Sequence, residues 1–521
     1  MFGYIQFAED YFPIIANICL SLKKLRPDIQ FGGIALKRQT VCAKIDELAS
    51  ELDITGYEWL NSIEKKILSQ PFDETLMQHY IERFGSEKLR FLIAVDRELA
   101  AGYVSGARLC RSKFGKLSNR SDEERWKYII GLVDYFVCSF TEHRPDFIFM
   151  NETTFAWEAA MHIVAEDMHI PCLTLECLRG CSAYCISDNV FGMLNKRDEL
   201  YRKSLENPDL LKDFLKQAEE SIKAFRERPL PPDYMESHRK NFSKLVSLSG
   251  LLRRITVNTA MAAAIKLKMF GTRDLMRISK GRDMLKQSWA SYITGRKILQ
   301  GKWFEQAEPY MDKNYIFYPL HYEPESSTSV ACHKLTNQVA LIEQISKNMP
   351  FGYRLLVKEH IPSIGSRPDG FYERIKAIPD VHLISPFENS MSIVRKAKLV
   401  IVLTGTSGWE CIQLGIPVMI FGHAEYTGIG TGFMKCDKII NFADEIVQAM
   451  HTPPATEREL IHFQAAQYAC ATLLTYDEIS AKFYNRDCDK KKSNIYSNQL
   501  AKQILDITEE YRLKNMEKEK Q

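Results

Sequence analysis

A run of small residues between an apolar strand and a helix is the first part of the sequence that could do chemistry. It covers residues 404–410, TGTSGWE, directly after the apolar segment LVIVL. Glycines let the backbone approach a ligand closely, hydroxyls donate hydrogen bonds, and the N–H groups of a helix N-terminus favour an anion. The pattern suits a phosphate, with an acid in the first turn placed for a ribose diol. The alternative is a turn that needs small residues only for close packing. The candidate donor-binding residues here are Thr404, Gly405, Thr406, Ser407, Gly408 and Glu410.

A second loop carries cationic and imidazole side chains. Lys358 and His360 end the strand-like segment RLLVKEH, and Arg367 follows in the next loop. The carboxyl ends of parallel strands face the ligand crevice of a doubly wound sheet. These three residues are therefore candidates to bind a diphosphate or nucleotide phosphate, and a structural role is the alternative for each.

The segment FYPLHYEPESST, residues 317–328, contains His321 among acids and hydroxyls. It opens the strand and helix pattern of the C-terminal half, so we expect it at a hinge that faces an interdomain cleft. His321 is a further candidate for donor binding. The alternative is a connector made rigid by its two prolines.

One acidic residue in the N-terminal half is placed to act as an acid or base. Glu152 follows Asn151 at the end of the strand-like segment DFIFM. A carboxyl group at a strand end that faces a cleft can transfer a proton, so Glu152 is the candidate catalytic residue. The alternative is that Asn151 simply caps the helix predicted to follow.

Alternating strand-like and helix-like segments predict the scaffold that positions these groups. Short apolar runs separated by helical patterns are typical of a parallel sheet covered on both faces. The predicted fold class is α/β, with two Rossmann-like doubly wound domains facing a cleft. Predicted strands of the C-terminal half are 315–322, 354–360, 381–385, 399–404, 417–422 and 438–442. Those of the N-terminal half are 29–36, 88–95, 146–152 and 172–176, with a helix over 153–169.

The segment between the two α/β patterns is strongly basic. From Arg239 to Lys302 there are 15 Lys and Arg residues against two acids, which gives +13. A basic amphipathic segment predicts either a solvated helical linker or a surface that attracts the phosphates of anionic lipids or a polyanionic glycan. The predicted parts are 1–230, an acceptor domain; 231–305, the basic linker; 306–470, a nucleotide-sugar domain; and 471–521, C-terminal helices and a polar tail that either packs back or frays.

Composition excludes several other classes of protein. The 521 residues are 45% hydrophobic and 26% charged with a net charge of +3, so the chain is globular and nothing in the balance predicts a nucleic-acid partner. Thirteen cysteines without a metal-binding spacing predict reduced thiols and no metal site. No apolar run is long enough to span a bilayer. We therefore expect a cytoplasmic protein, either free or peripheral on the inner face of the membrane.

Three of these motifs together resemble a known family. YPLHYEPESST (318–328), VKEH (357–360) and LTGTSGWECIQLGIPVMIFG (403–422) are similar to the capsular polysaccharide synthesis proteins, which include β-Kdo transferases. The resemblance implies a metal-independent glycosyltransferase of the two-domain GT-B type. It also implies that Lys358, His360, Gly405, Thr406, Gly408 and Glu410 contact the donor nucleotide and its phosphate. The chain departs from the family's Lys-x-His-Pro motif, because Ile361 separates His360 from Pro362.

The predicted function is transfer of a sugar from a nucleotide-sugar donor to a surface polysaccharide or a lipid-linked glycan. The resemblance favours Kdo or a related nonulosonate on a CMP carrier over a UDP-sugar, and the nucleotide-sugar would be a substrate with no further cofactor. Two alternatives stay open: a sugar-nucleotide epimerase or hydrolase on the same fold, and a non-catalytic glycan-binding subunit of a capsule assembly complex.

Overall fold

The computed structural model of the protein describes residues 1–7, 12–35, 45, 47, 51–100, 102–107, 121–179, 183–228, 242–266, 281–436, 440–472 and 490–519. Two six-stranded sheets form the centres of two α/β domains. Numbered along the chain within each sheet, the strands of both lie in the order 3-2-1-4-5-6, so the two sheets share one strand order. This is the doubly wound order in which ligands bind where the strand order reverses. The predicted fold class is confirmed.

The strands of the first sheet run parallel except β6, which is antiparallel to β5. The strands are β1 Phe2–Phe7, β2 Gln30–Ala35, β3 Ile54–Trp59, β4 Phe147–Met150, β5 Cys172–Cys177 and β6 Tyr184–Ser187. The helices of this part are α1 Phe12–Leu25, α2 Leu60–Ser69, α3 Glu74–Phe84, α4 Ser86–Val95, α5 Asp122–His143 and α6 Ala156–Asp167. Strand β4 is buried along its whole length, which explains its unbroken apolar sequence.

The strands of the second sheet are all parallel. They are β7 Tyr315–Pro319, β8 Arg354–Lys358, β9 Val381–Ile384, β10 Leu399–Val402, β11 Val418–Ile420 and β12 Met434–Lys435. The helices that follow the first sheet are α7 Asn195–Glu206, α8 Lys212–Glu227, α9 Leu248–Lys266, α10 Gly281–Leu299, α11 Ser326–Ser329, α12 Gln338–Asn348, α13 Phe371–Lys376, α14 Ser390–Lys396, α15 Thr406–Leu414, α16 Phe442–Met450, α17 Glu457–Cys470 and α18 Lys490–Glu519. Short 3-10 turns lie at Pro208–Leu211, Glu308–Tyr310, His333–Leu335, Ile361–Ser363 and Glu425–Ile429.

Helices α7 and α8 precede the basic segment in sequence but pack with the second domain. Tyr201 of α7 contacts Phe463 of α17 edge to face, with ring centroids 5.3 Å apart. Ala218 and Ile222 of α8 are buried in the same core. This packing favours a first domain boundary between Ser187 and Asn195 over one at residue 230.

The C-terminal helix α18 returns to the first domain. Leu500, Ile504 and Ile507 are buried in one core with residues of α1 and β5. Of the two alternatives for the tail, packing back therefore holds for 490–519. The predicted helices of the basic segment are α9 and α10, which pack against each other, and residues 267–280 between them lie outside the described part of the chain. Among the described helices, none is long and apolar enough to cross a membrane.

One predicted strand is wrong. Residues 88–95, KLRFLIAV, belong to helix α4, which begins after Gly85 with φ of 86°. A short apolar run fits a buried strand and a buried helix equally well, and the neighbouring helices α3 and α5 cover this one with apolar side chains. The last predicted strand, 438–442, is outside the described residues up to 439, and Phe442 begins α16.

Candidate functional site

His321 holds the small-residue turn against the end of β7. Its Nε2 atom accepts hydrogen bonds from the N–H groups of Gly405, at 3.1 Å, and Thr404, at 3.5 Å. Burial lowers the pKa of His321 to about 3, and the nearby Arg179 lowers it further. The imidazole is thus neutral at physiological pH, as an acceptor must be. His321 therefore positions the turn, and its predicted role in donor binding stays a prediction.

The glycines of the turn allow close packing around the start of α15. A Cβ atom on Gly408 would lie 2.1 Å from the Tyr426 hydroxyl oxygen, and one on Gly405 would lie 2.9 Å from His321 Nε2. The Tyr426 hydroxyl in turn donates to the Gly405 carbonyl, at 2.8 Å. The glycines are therefore needed for packing, and the phosphate-binding interpretation of the motif stays a prediction. The N–H groups of Thr406 and Ser407 lie in the first turn, where they have no partner within the helix.

Glu410 is the fifth residue of α15 and so lies just beyond its first turn, not in the first turn as the sequence predicts. It is buried, and burial raises the pKa of its carboxyl group to about 7, while a hydrogen bond with the Ser407 side chain opposes this rise. Glu410 therefore carries a partial charge near neutral pH and interacts with a residue of the predicted phosphate turn. This position is compatible with the predicted contact to a nucleotide.

Arg367 is committed to a structural network. Its guanidinium forms two hydrogen bonds to Glu359, each of 2.8 Å, and donates to the carbonyls of Gly106 and His321, each at 2.9 Å. The side chain is almost fully buried. Arg367 therefore joins the second domain to the first through Gly106, and this geometry argues against the predicted phosphate contact. The reason is that the guanidinium of Arg367 is paired with the neighbouring acid Glu359.

Lys358 and His360, the two other predicted residues of this loop, have different surroundings. Lys358 is buried and its Nζ atom donates to the carbonyl of Pro386, at 3.0 Å. His360 is half-buried just after β8, and a positive charge on it would lower the pKa of His321, as the charge of Arg367 does. Both residues therefore lie near His321, which holds the small-residue turn.

Glu152 reaches across the cleft. Its Oε2 atom accepts a hydrogen bond of 3.0 Å from the hydroxyl of Ser326, the first residue of α11 in the second domain. Burial and the neighbouring Glu325 raise its pKa, whereas Ser326, Arg97 and Arg179 lower it. The alternative role for this segment is wrong: helix α6 begins at Ala156, and it is Glu158 that accepts from the N–H groups of Thr154 and Phe155.

A second acid, Glu176, lies beside Glu152. Strands β4 and β5 pair with Met150 opposite Thr174, so both acids lie two positions beyond a paired residue. Burial raises the pKa of Glu176 to about 7, and the negative charge of Glu152 raises it further. Two such carboxyls cannot both ionise easily, so one tends to keep its proton. The sequence signal was an acid at the carboxyl end of each of two predicted strands.

Arg179 is a further cation near the small-residue turn, and its Nε atom lies 3.9 Å from Oε2 of Glu425. It follows β5, its backbone N–H donates to Glu425, at 2.8 Å, and its guanidinium lies 5.8 Å from the centre of the Tyr426 ring. Within the described part of the chain, its buried Nη1 atom has no hydrogen-bond partner. Because Tyr426 also binds Gly405, Arg179 is close to the start of α15. Sequence reasoning missed it, since only the domain arrangement brings it there.

Comparison with known proteins agrees with this geometry. Residues 276–477 match the model of a family described as "Capsule polysaccharide biosynthesis protein". The second domain is similar to this family. The match includes all three motifs on which the resemblance was based, so the resemblance is confirmed. No curated protein matches the sequence significantly.

Solved structures show only distant similarity. The β-Kdo 2,7-transferase of Thermosulfurimonas dismutans KpsC is 13% identical, over 64% of this chain and 80% of that one, with a TM-score of 0.32. The β-Kdo 2,4-transferase of the same protein is 15% identical over 62% and 79%, also with a TM-score of 0.32. The UDP-GlcNAc 2-epimerase of Neisseria meningitidis is 13% identical over 90% and 98%, with a TM-score of 0.27. Identities and TM-scores at this level carry no argument about activity.

Proposed function

We propose that the chain is a glycosyltransferase of capsule polysaccharide synthesis. It transfers a sugar from a nucleotide-sugar to a surface polysaccharide or a lipid-linked glycan. The observation that carries the proposal is the meeting of two kinds of group across one cleft. The half-buried carboxyls of Glu152 and Glu176 come from the first domain, and the N-terminus of α15 comes from a domain similar to the capsule polysaccharide family.

The chemistry of sugar transfer needs both kinds of group. When the bond between sugar and phosphate breaks, negative charge builds on the leaving phosphate, and the α15 N-terminus, Arg179 and His360 can stabilise it. At the other end of the reaction, the acceptor hydroxyl must lose a proton. A carboxyl group whose pKa is raised towards neutrality, such as Glu176 beside Glu152, suits that task.

The donor that we propose carries Kdo or a related nonulosonate on CMP, with UDP-sugars second. No cofactor is proposed, because the nucleotide-sugar is itself the substrate and the cationic groups named above supply the charge that a metal ion would otherwise provide. The family match and the resemblance of the motifs support this choice.

The test is product analysis with purified full-length protein. We expect radiolabel from CMP-Kdo to appear in saccharide acceptors, also in the presence of EDTA, and CMP to raise the melting temperature by mass action. Conversion of the free nucleotide-sugar without an acceptor would instead identify an epimerase or a hydrolase. Absence of stabilisation by CMP, UDP, GDP and their sugars would favour a non-catalytic subunit.

We also propose that the protein acts as a peripheral protein on the inner face of the membrane. Leu252 and Trp289 of the α9–α10 pair are more than half exposed, beside the exposed Arg253. Large apolar side chains next to cations suit an anionic lipid surface.

Sedimentation with vesicles tests this placement. Vesicles that contain phosphatidylglycerol should bind the protein, and raising the salt from about 0.1 M to about 0.5 M should release it. The triple variant Arg253→Gln/Lys286→Gln/Arg296→Gln should bind less, whereas a variant of exposed lysines elsewhere, Lys203→Gln/Lys216→Gln/Lys347→Gln, should bind as wild type. Binding that withstands the added salt would contradict an electrostatic attachment.

A further inference from the structure

A large cavity lies between the two domains, apart from the residues discussed so far. Its volume is about 1240 Å³. Its walls come from α4 and α6 of the first domain, from residues 331–335 and 421–423 of the second, and from the end of α18. Drug-sized ligands occupy pockets of roughly 300–1,000 Å³, so this cavity has room for a longer ligand.

The lining combines aromatic rings with charged groups, and two of its lysines form ion pairs. Phe91 meets His333 edge to face, with ring centroids 4.9 Å apart. Lys88 pairs with Glu166 at 2.6 Å, and Lys334 pairs with Glu87 at 3.2 Å. Aromatic faces accept the apolar face of a ring, and fixed polar groups accept and donate hydrogen bonds around its edge. A hydroxyl-rich saccharide presents both kinds of surface, and Lys435, Lys514 and Lys518 in the same lining suit acidic sugars within it.

Two stacked aromatic rings, one from each domain, form part of the wall of this cavity. Phe191 of the first domain stacks on His423 of the second, with centroids 4.0 Å apart and planes 6° apart. Both rings are half-buried and both line the cavity.

The same wall adjoins the candidate site. Gly192, next to Phe191, lies so close to Glu176 that a Cβ atom would be 2.7 Å from its Oε2. Gly422, next to His423, lies so close to Thr404 that a Cβ atom would be 2.4 Å from its Cγ2. The stacked pair thus separates the cavity from the carboxyl pair on one side and from the small-residue turn on the other.

We propose that this cavity binds the saccharide chain of the acceptor, with the Phe191–His423 pair as the stacking platform next to the reacting end. This inference rests on the proposed glycosyltransferase function and names the acceptor site for it. The volume of the cavity gives room for an acceptor of several sugar residues, and domain opening that parts Phe191 from His423 would admit the end of the chain to Glu176.

Binding to an array of bacterial capsular oligosaccharide fragments about six residues long tests the proposal on the full-length protein. The wild type should bind at least one fragment class. Phe191→Ala and, independently, His423→Ala should weaken this binding at least about tenfold, which corresponds to about 1.4 kcal/mol. Phe351→Ala is the matched control, because Phe351 is fully exposed on the second domain, and it should bind as wild type.

Nucleotide stabilisation separates this proposal from the proposed function. Each variant should keep the rise in melting temperature that CMP causes, which also shows that the variant is folded. The acceptor site is contradicted if the wild type binds no fragment, if both cavity variants bind as the wild type does, or if the Phe351→Ala control loses binding equally. Loss of nucleotide stabilisation in the wild type itself would overturn the proposed function instead.

Discussion

The carboxyl ends of the two sheets differ in chemistry although the sheets share one strand order. The first sheet ends in acids, Glu152 after β4 and Glu176 after β5, whose pKa values are raised by burial. The second sheet ends in backbone amides and a neutral imidazole, with the α15 N-terminus held by His321. On the proposed function, one strand order therefore carries proton transfer on one side of the cleft and anion binding on the other. The difference shows that the function resides in the residues after the strands and not in the fold.

The largest effect should come from the acidic side. Glu176→Gln and Glu152→Gln each remove a carboxyl group that can take up a proton, so we expect sugar transfer to fall by about 10²–10⁴-fold. Binding of CMP, measured by thermal shift, should stay as in the wild type. If either variant loses nucleotide binding as well as transfer, the separation of roles between the two sheets is wrong.

The two arginines near the cleft should separate binding from stability. Arg179→Gln removes a cation beside the α15 N-terminus, and we expect about 10- to 100-fold weaker nucleotide binding, since a charge-assisted hydrogen bond contributes about 1.5–3 kcal/mol. Arg367→Gln leaves the buried Glu359 without its partner and should lower the free energy of unfolding by about 3–5 kcal/mol.

Isothermal titration with CMP and denaturant unfolding measure these two effects. The arginines serve as controls for each other, because each should change mainly one of the two quantities. An Arg367→Gln variant with wild-type stability and weakened nucleotide binding would restore the phosphate role that the sequence predicted.

A glycine variant examines the packing on the amide side. Gly408→Ala places a methyl group 2.1 Å from the Tyr426 hydroxyl oxygen, so the turn or the phenol must shift. We expect a loss of about 1–3 kcal/mol in the free energy of unfolding and weaker nucleotide binding. Removing the hydroxyl in Gly408→Ala/Tyr426→Phe should recover part of both, which a double-mutant cycle would measure. Additive effects of the two changes would mean that this contact does not shape the turn.

Much of the second domain could be predicted from sequence, whereas the site could be predicted only in part. Buried parallel strands such as β10 have apolar sequences, and the turn after β10 is contiguous in sequence, so local pattern was sufficient there. Glu176 and Arg179 acquire their surroundings from the β4–β5 register and from the other domain, which local pattern does not contain. The misassigned role of Arg367 has the same origin, since its carbonyl partner Gly106 is far away in sequence.

The smallest expected effect is a difference in pH dependence between the amide side and the acidic side of the cleft. Burial raises the pKa of Glu410, on the amide side, to about 7 from 4.5. The folded protein therefore binds a proton more tightly than the unfolded chain, and the resulting stability is complete below about pH 4.5 and is lost as the pH rises through about 7. The Glu410→Gln variant cannot ionise at this position, so it should not lose this stability as the pH rises. The melting temperature of the variant minus that of the wild type should therefore increase from pH 5 to pH 8, by about a few degrees.

Sugar transfer by the same variant should keep an inflection near neutral pH, because that inflection belongs to Glu176 and its partner Glu152 on the acidic side. An inflection that disappears in Glu410→Gln would move the acid-base chemistry to the second domain and reverse the comparison.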